Sequence, residues 1–550
     1  MRRLATIVAT LTAFGLAATV ALAASQGSAV AGILLDSATG QPLAGFMVTL
    51  TPDKGGAGQT THTSGNGRFS FASVPAGKYI LSGSGPGYRA QGLNQHDNYF
   101  TGVAVGPDLD ATKIVFRMQA DASLRGQVTD EQNEPVRNAT AELFRMEEVD
   151  GIRRAQSVTN AGTSDQGVYH FSHLSPGTYY VAISARPWYA QYTPQNVSGT
   201  QQAQLDPETT SRVREEASQL DVAYPLTFYP EAEDSSQASA ITLRPGERFT
   251  ADITMHAVPT AHLKIRNDKQ PNASGPAPTI MQRVFDGLLI PVFSSSGFGY
   301  GQGNYEYGGL APGRYTLEFS GGAPDKSGGR SGWFRDIDLY GDMEISASDS
   351  PAMATMTGLV TYQGAPPSRH DAYVELRNEE TGDSWTSKVS DKGLFGLTEN
   401  ELHPGTYQAV LYGAPDWVIT RIIAQNAAVK GTEISLAPGA SAEVVCTATR
   451  VSASVSGTVL RDDKPLAGAM VLLVPDDALG DKQRYRRDES DSDGTFTLRQ
   501  VVPGRYTAVA LQNGWNIEWG DPEILKPYLA KGEKLTVTSE KNANLKLEVQ

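Results

Sequence analysis

A short alternating strand, a Pro/Gly turn and a second strand opening on tyrosine occur five times in this chain, about once every hundred residues. The last copy runs Gly494–Leu498, then Val502, Pro503, Gly504, Arg505 and Tyr506. Earlier copies lead from Gly67 to Tyr79, Gly167 to Tyr179, Gly303 to Tyr315 and Gly393 to Tyr407. The strand aromatic precedes the tyrosine by ten residues in repeats 1, 2, 3 and 5, and by twelve in repeat 4. A unit of that size means tandem domains, because 550 residues are too many for one hydrophobic core. The glycine ahead of each aromatic suits a turn position of positive φ. The Pro/Gly pair suits a tight turn. Each tyrosine reads as structural, with its ring inward and its hydroxyl on nearby backbone, a known device of β-sandwiches.

The repeats divide the chain. Residues 1–24 read as a signal peptide, 25–119 as repeat 1 and 120–258 as repeat 2, with an insertion at about 186–235. Residues 259–351 form a diverged repeat 3, 352–449 repeat 4 and 450–550 repeat 5. Each holds short alternating strands with turn residues every 8–12 positions. That pattern predicts an all-β chain of tandem antiparallel β-sandwiches. In repeat 1, Phe46, Val48 and Leu50 share one face. In the insertion, Asp206 before Pro207 and Glu208 suits an N-cap followed by proline at the first helical position. A short helix is expected there.

Met1, Arg2 and Arg3, the apolar run Leu4–Leu22 and the small-x-small site at Ala21–Ala23 make an N-terminal signal helix. An uncleaved anchor is the alternative. No later segment has the roughly 18 apolar residues of a spanning helix. The product is expected to be exported, to the periplasm, the cell surface or the medium. Its single cysteine, Cys446, sits in an apolar strand and reads as a small core residue. The net charge of −14 argues against nucleic acid or an anionic membrane as partner. It leaves polysaccharide or envelope proteins open.

The sequence resembles the carboxypeptidase regulatory-like domain. The matching residues are a Gly-x-Val opening (Gly126 and Val128 in repeat 2), Pro42–Gly45 and its echo Pro465–Leu473, the glycine-led aromatic strand, and the Pro-Gly-x-Tyr turn. The pattern covers repeats 1, 2, 4 and 5 well and repeat 3 in part. The resemblance implies a transthyretin-like sandwich, similar also to the B-type repeats of bacterial surface adhesins and to starch-binding-like domains. In the family that gives it its name, the module is an accessory to a zinc peptidase and not itself catalytic. B-type repeats often carry an internal Lys–Asn cross-link. The opening strands Ala29–Leu35 and Ser454–Leu460 contain no lysine for one.

Catalytic chemistry has little footing. A zinc peptidase needs a His-x-x-Glu pair and a distant histidine, and none of the eight histidines has glutamate at +3. His170 and His173, three apart on a strand, are expected on opposite faces. There is no Gly-x-Ser-x-Gly elbow and no phosphate-cradling loop. No catalytic residue, metal ligand or cofactor is assigned. Asp488, Asp491 and Asp493 before Gly494 read as a solvated turn, with a partial calcium loop as the alternative.

The binding candidates are aromatic. Trp188, Tyr189 and Tyr192 precede the insertion, and Tyr224 and Tyr229 follow its helical stretch. Trp417 in repeat 4, and Trp515 and Trp519 in repeat 5, stand in the corresponding regions. Exposed aromatics stack on sugar faces and anchor interfaces. The alternative is that they pack the insertion onto its sandwich. The expected function is a non-catalytic exported binding protein, with carbohydrate as ligand. The alternative is a structural spacer or adhesin-like rod making protein contacts.

Overall fold

The computed structural model describes residues 27–191, 219–266, 268, 277–285, 287–292, 296–299, 304–320, 332–367, 372–378, 384–396, 402–414, 416–476, 482–538 and 543–550. The signal segment, Tyr192 and the helix expected from Asp206 lie outside them.

The alternation of the sequence becomes two-faced strands. Along Ser28–Asp36 every second side, at Val30, Gly32, Leu34 and Asp36, faces the core. Each repeat pairs two sheets around its own apolar cluster. In repeat 1, Ser28–Asp36 lies between Arg68–Val74 and Ile114–Met118, while Met47–Pro52 lies between Gln59–His62 and Gly77–Gly85. The other four follow the same plan. Among the described strands, pairing is antiparallel except at one place that recurs in every repeat. The opening strand runs parallel to the closing strand, as Val455–Arg461 does to Ala543–Glu548.

All five signature tyrosines are buried, and all five do the same thing. Each hydroxyl donates to the carbonyl four residues back: Tyr79 to Pro75 at 2.9 Å, Tyr179 to Ser175 at 2.7 Å, and Tyr315, Tyr407 and Tyr506 to Ala311, His403 and Val502 at 2.6 Å. The Pro/Gly glycine opens the strand that carries the tyrosine. Gly67, Gly167, Gly393 and Gly494 take φ of 70–80°, where a side chain would be strained. A second glycine explains the Gly-x-Val opening. A β-carbon on Gly32, Gly126, Gly358 or Gly457 would stand within 2.4–2.8 Å of Phe69, Tyr169, Phe395 or Phe496. In these four repeats the signature aromatic reaches across the opening strand at a place that carries no side chain.

One expectation fails by a bulge. Ser73, His173 and Gln500 occupy the same place in their repeats and share φ of 56–58°. The extra residue breaks the alternation, so Val74, Leu174 and Val501 still point inward. His170 and His173 therefore both end up exposed rather than on opposite faces. Cys446 is fully buried, and burial pushes its thiol up to about 12. A helix forms at Pro522–Leu529, where Asp521 caps the Glu523 amide at 2.9 Å. Its Asp-Pro-Glu start repeats the triplet at Asp206.

The repeats do not contact only their neighbours in sequence. Repeat 5 packs against repeats 1 and 2, so the two ends of the array meet. The longest hairpin, Thr140–Val149 and Ile152–Gly162, reaches from repeat 2 toward repeats 4 and 5. Its tip, Asp150 and Gly151, has positive φ at both residues, the geometry that makes a tight two-residue turn.

Candidate ligand-binding clefts

The predicted aromatics do not form one exposed cluster. Trp188 is 85% exposed and, among the described aromatic rings, meets only Tyr189, edge-on at 5.7 Å. Tyr189 also donates to Glu131 at 3.3 Å. Tyr224 is 5% exposed and belongs to the repeat 2 core. Tyr229 packs on the same core, edge-on to Phe249. Trp417 is buried against Tyr362 in repeat 4. The stretches flanking the insertion are apolar enough to close the sandwich, and closing it takes Tyr224 and Tyr229 out of solvent.

Trp515 and Trp519 take part in contacts between repeats. They line the joint between repeat 5 and repeats 1 and 2. Trp515 stacks on His96 at 5.0 Å and 4°, with Tyr99 beside it at 5.1 Å. The Arg487 guanidinium lies 4.3 Å from the Trp519 ring centre, 5.1 Å from Tyr99 and 6.0 Å from Trp515. Contacts of this kind are worth about 0.5–2 kcal/mol each, more where water is excluded. Arg487 also pairs with Glu148 at 2.6 Å, and Trp519 Nε1 donates to the same oxygen. Burial raises the Glu148 carboxyl, against the pull of Arg487. Backbone completes the seam, where the Gly520 amide donates to Gly151 at 2.9 Å. Arg377 of repeat 4 holds Asp150, the other tip residue, at 2.9 Å.

The acids before Gly494 also work at this joint. Lys78 of repeat 1 pairs with Asp491, and the Gly102 amide donates to it at 3.1 Å. The fully buried Glu489 carboxylate meets His96 at 2.8 Å and accepts from the Thr101 hydroxyl. Asp493 accepts from its own turn, at Thr495. Asp488 accepts the Thr497 amide at 2.7 Å, and burial pushes its carboxyl up to about 6. Protein donors thus take up the acids that the calcium alternative would use. Among the described residues, no three His, Cys, Asp or Glu side chains converge for a metal.

Neither Arg487 nor Glu148 stands out in the sequence. The Asp150-Gly151 pair between two apolar runs is a readable hairpin signal, but it does not say what the tip will touch.

The joint leaves two large clefts. One, about 1,080 Å³, separates repeat 4 from repeat 5. It brings together two of the predicted residues, Trp417 and Trp519, with Tyr412, Tyr485 and Tyr99. Both tryptophans are buried to 6–7% exposure and form its floor, whereas Tyr412 is 46% exposed and offers an open ring. Lys430, Lys482 and Arg484 add positive charge to the walls. The other cleft, about 790 Å³, lies among repeats 1, 2 and 5.

Residues 29–118 and 123–212 each match the carboxypeptidase regulatory-like domain. The two matches stand in tandem. Repeats 4 and 5, outside the match, have the same strand plan and the same tyrosine bond. No curated protein matches the chain in sequence. Among solved structures, the TIE protein of Bacillus anthracis is 11% identical, over 92% of this chain and 68% of that one, with a TM-score of 0.15. The minor pilin of Streptococcus agalactiae is 12% identical, over 42% and 97%, at 0.21. The shaft pilin SpaA of Lactobacillus rhamnosus GG is 11% identical, over 42% and 96%, at 0.19. Scores this low carry no argument about what the protein does. Among the described residues, no helix is long and apolar enough to cross a membrane.

Proposed function

We propose that this is an exported, non-catalytic binding protein that takes carbohydrate in the cleft between repeats 4 and 5. The observation that carries the reading is that cleft: rings from three repeats edge it, and Tyr412 presents a face to solvent. An aromatic floor with polar and charged walls suits a sugar, whose ring faces are apolar and whose rim is hydroxylated. The N-terminal leader read from the sequence supports export, and the domain borders drawn there belong to the same reading. Affinity electrophoresis in a panel of neutral polysaccharides tests it. At least one polymer retards the protein, Tyr412→Ala weakens that binding about tenfold, and Trp188→Ala leaves it unchanged. Binding that survives Tyr412→Ala, or no binding to any polymer, overturns it. A second reading, a structural or adhesin-like component making protein contacts, is favoured by one residue: Trp188, exposed as interface anchors are.

A further inference from the structure

The cleft among repeats 1, 2 and 5 has a different chemistry from the aromatic one. Its lining holds no tryptophan, no tyrosine and no lysine. Four arginines line it: Arg89 and Arg117 from repeat 1, Arg145 from repeat 2 and Arg461 from repeat 5. All four stand on strands, which fixes their bases. On a chain of net charge −14, four guanidinium groups in one cleft are not background. Two acids share the lining, Asp97 and Asp121. Asp121 is already engaged, by His173 at 2.8 Å, by the Arg89 amide at 3.1 Å and by the Arg89 guanidinium at 3.8 Å.

Two of the arginines, Arg117 and Arg461, are short of partners, whereas Arg89 pairs with Asp121 at 3.8 Å. Arg117 is exposed, and among the described residues neither its side chain nor that of Arg461 has an ion pair or hydrogen bond. One terminal nitrogen of Arg461 is buried without an acceptor, and so is Nε of Arg145. A buried donor left unmade is costly, and more so when charged. Arg145 does bond the Pro176 carbonyl at 3.2 Å and Glu147 at 3.3 Å, which holds its plane while the buried Nε has no acceptor. Arginine rather than lysine at all four places is the choice for planar two-oxygen acceptors.

We propose that this cleft is a second binding site, which takes the carboxylate or sulfate groups of an acidic polysaccharide. A bound polyanion supplies the acceptors that Arg117, Arg145 and Arg461 lack. Because these residues come from three repeats, the ligand also ties the two ends of the array together. The site does not depend on the aromatic cleft.

Titration calorimetry on the full chain tests this with oligogalacturonate, sulfated dextran and neutral dextran. One or both acidic polymers bind, salt weakens the binding, and neutral dextran does not compete. Which acidic polymer binds separates carboxylate from sulfate as the source. Arg117→Gln and Arg461→Gln each weaken binding about tenfold. Lys113→Gln, outside the cleft and paired with Asp110, leaves it unchanged. The bound polymer lowers the radius of gyration in solution scattering, and the double arginine variant loses that response. Wild-type affinity in the arginine variants, or no binding of either acidic polymer, overturns the proposal. Should Arg461→Gln fail to fold, the exposed Arg117 decides the matter alone. Neither failure touches the Tyr412 result, which is read with neutral polymers.

Discussion

Where repeat 2 meets repeat 3, Phe144, Phe228 and Phe285 pack ring on ring at 5.2–6.3 Å, with Val284 and Ile290 filling the gaps. Where repeat 1 meets repeat 5, the contact is Lys78 on Asp491, Thr101 and His96 on Glu489, and Arg499 on Asp53. The first joint is a hydrophobic cluster of its own. Its stability comes from area withdrawn from water, which salt and mild acid barely change. The second combines charge pairs, several with carboxylates taken out of water, with the Trp515 ring set against His96 and Tyr99. Such a contact fixes geometry well and adds little net stability, because desolvation offsets much of the attraction. Neighbours in sequence are thus held by an oily joint, and the distant ends by one that answers to its solution.

Three measurements sharpen or break that contrast. The largest effect belongs to the oily side. Phe144 is fully buried, so Phe144→Ala costs about 3–5 kcal/mol in chemical denaturation, equally at low and high salt. A strong salt dependence would break the contrast there. Next comes Asp488. Its folded value, about 6, lies above the ordinary carboxylate value, so the folded state holds a proton that the unfolded state has released. The stabilisation is fully present below pH 4 and is lost as pH rises through 6. The loss between pH 4 and pH 7 is on the order of 2 kcal/mol. Asp488→Asn flattens the curve, and an unchanged slope in urea titrations at several pH values would refute this. The smallest effect is at Lys78, whose side chain is 36% exposed. Lys78→Ala opens the array by about 1 kcal/mol at low salt and less at high salt, after discounting for solvent screening. Scattering against ionic strength reads that directly, and a variant indistinguishable from wild type at low salt would remove Lys78 from the joint.

The sequence made some of this legible and hid the rest for a physical reason. The tyrosine bonds, the positive-φ glycines and the strand plan are local. Each is set within about ten residues and written out five times. The bulge at His173 is local too, but its signal is a single residue with no fixed identity: serine, histidine and glutamine all fill the place. The joints are not local. Lys78 and Asp491 lie hundreds of residues apart and follow no period that links them. Nothing near Trp519 in sequence announces that its ring meets Arg487 or that its Nε1 donates to Glu148. The Asp-Pro-Glu triplet shows the same limit from the other side, since its copy at Asp521 starts a helix inside a repeat whose pattern is otherwise that of strands.

In every repeat, the strand by which the chain enters lies beside the strand by which it leaves, pointing the same way. A pull on the two ends therefore drags these strands lengthwise past each other. Their hydrogen bonds carry the load together in shear rather than parting one by one as a zipper does. Repeat 4 has nine register partners in this clamp, from Thr355 and Ser441 to Gln363 and Thr449, whereas repeat 3 has four. Under mechanical tension the chain is a series of links of unequal strength, with repeat 3 yielding before repeat 4.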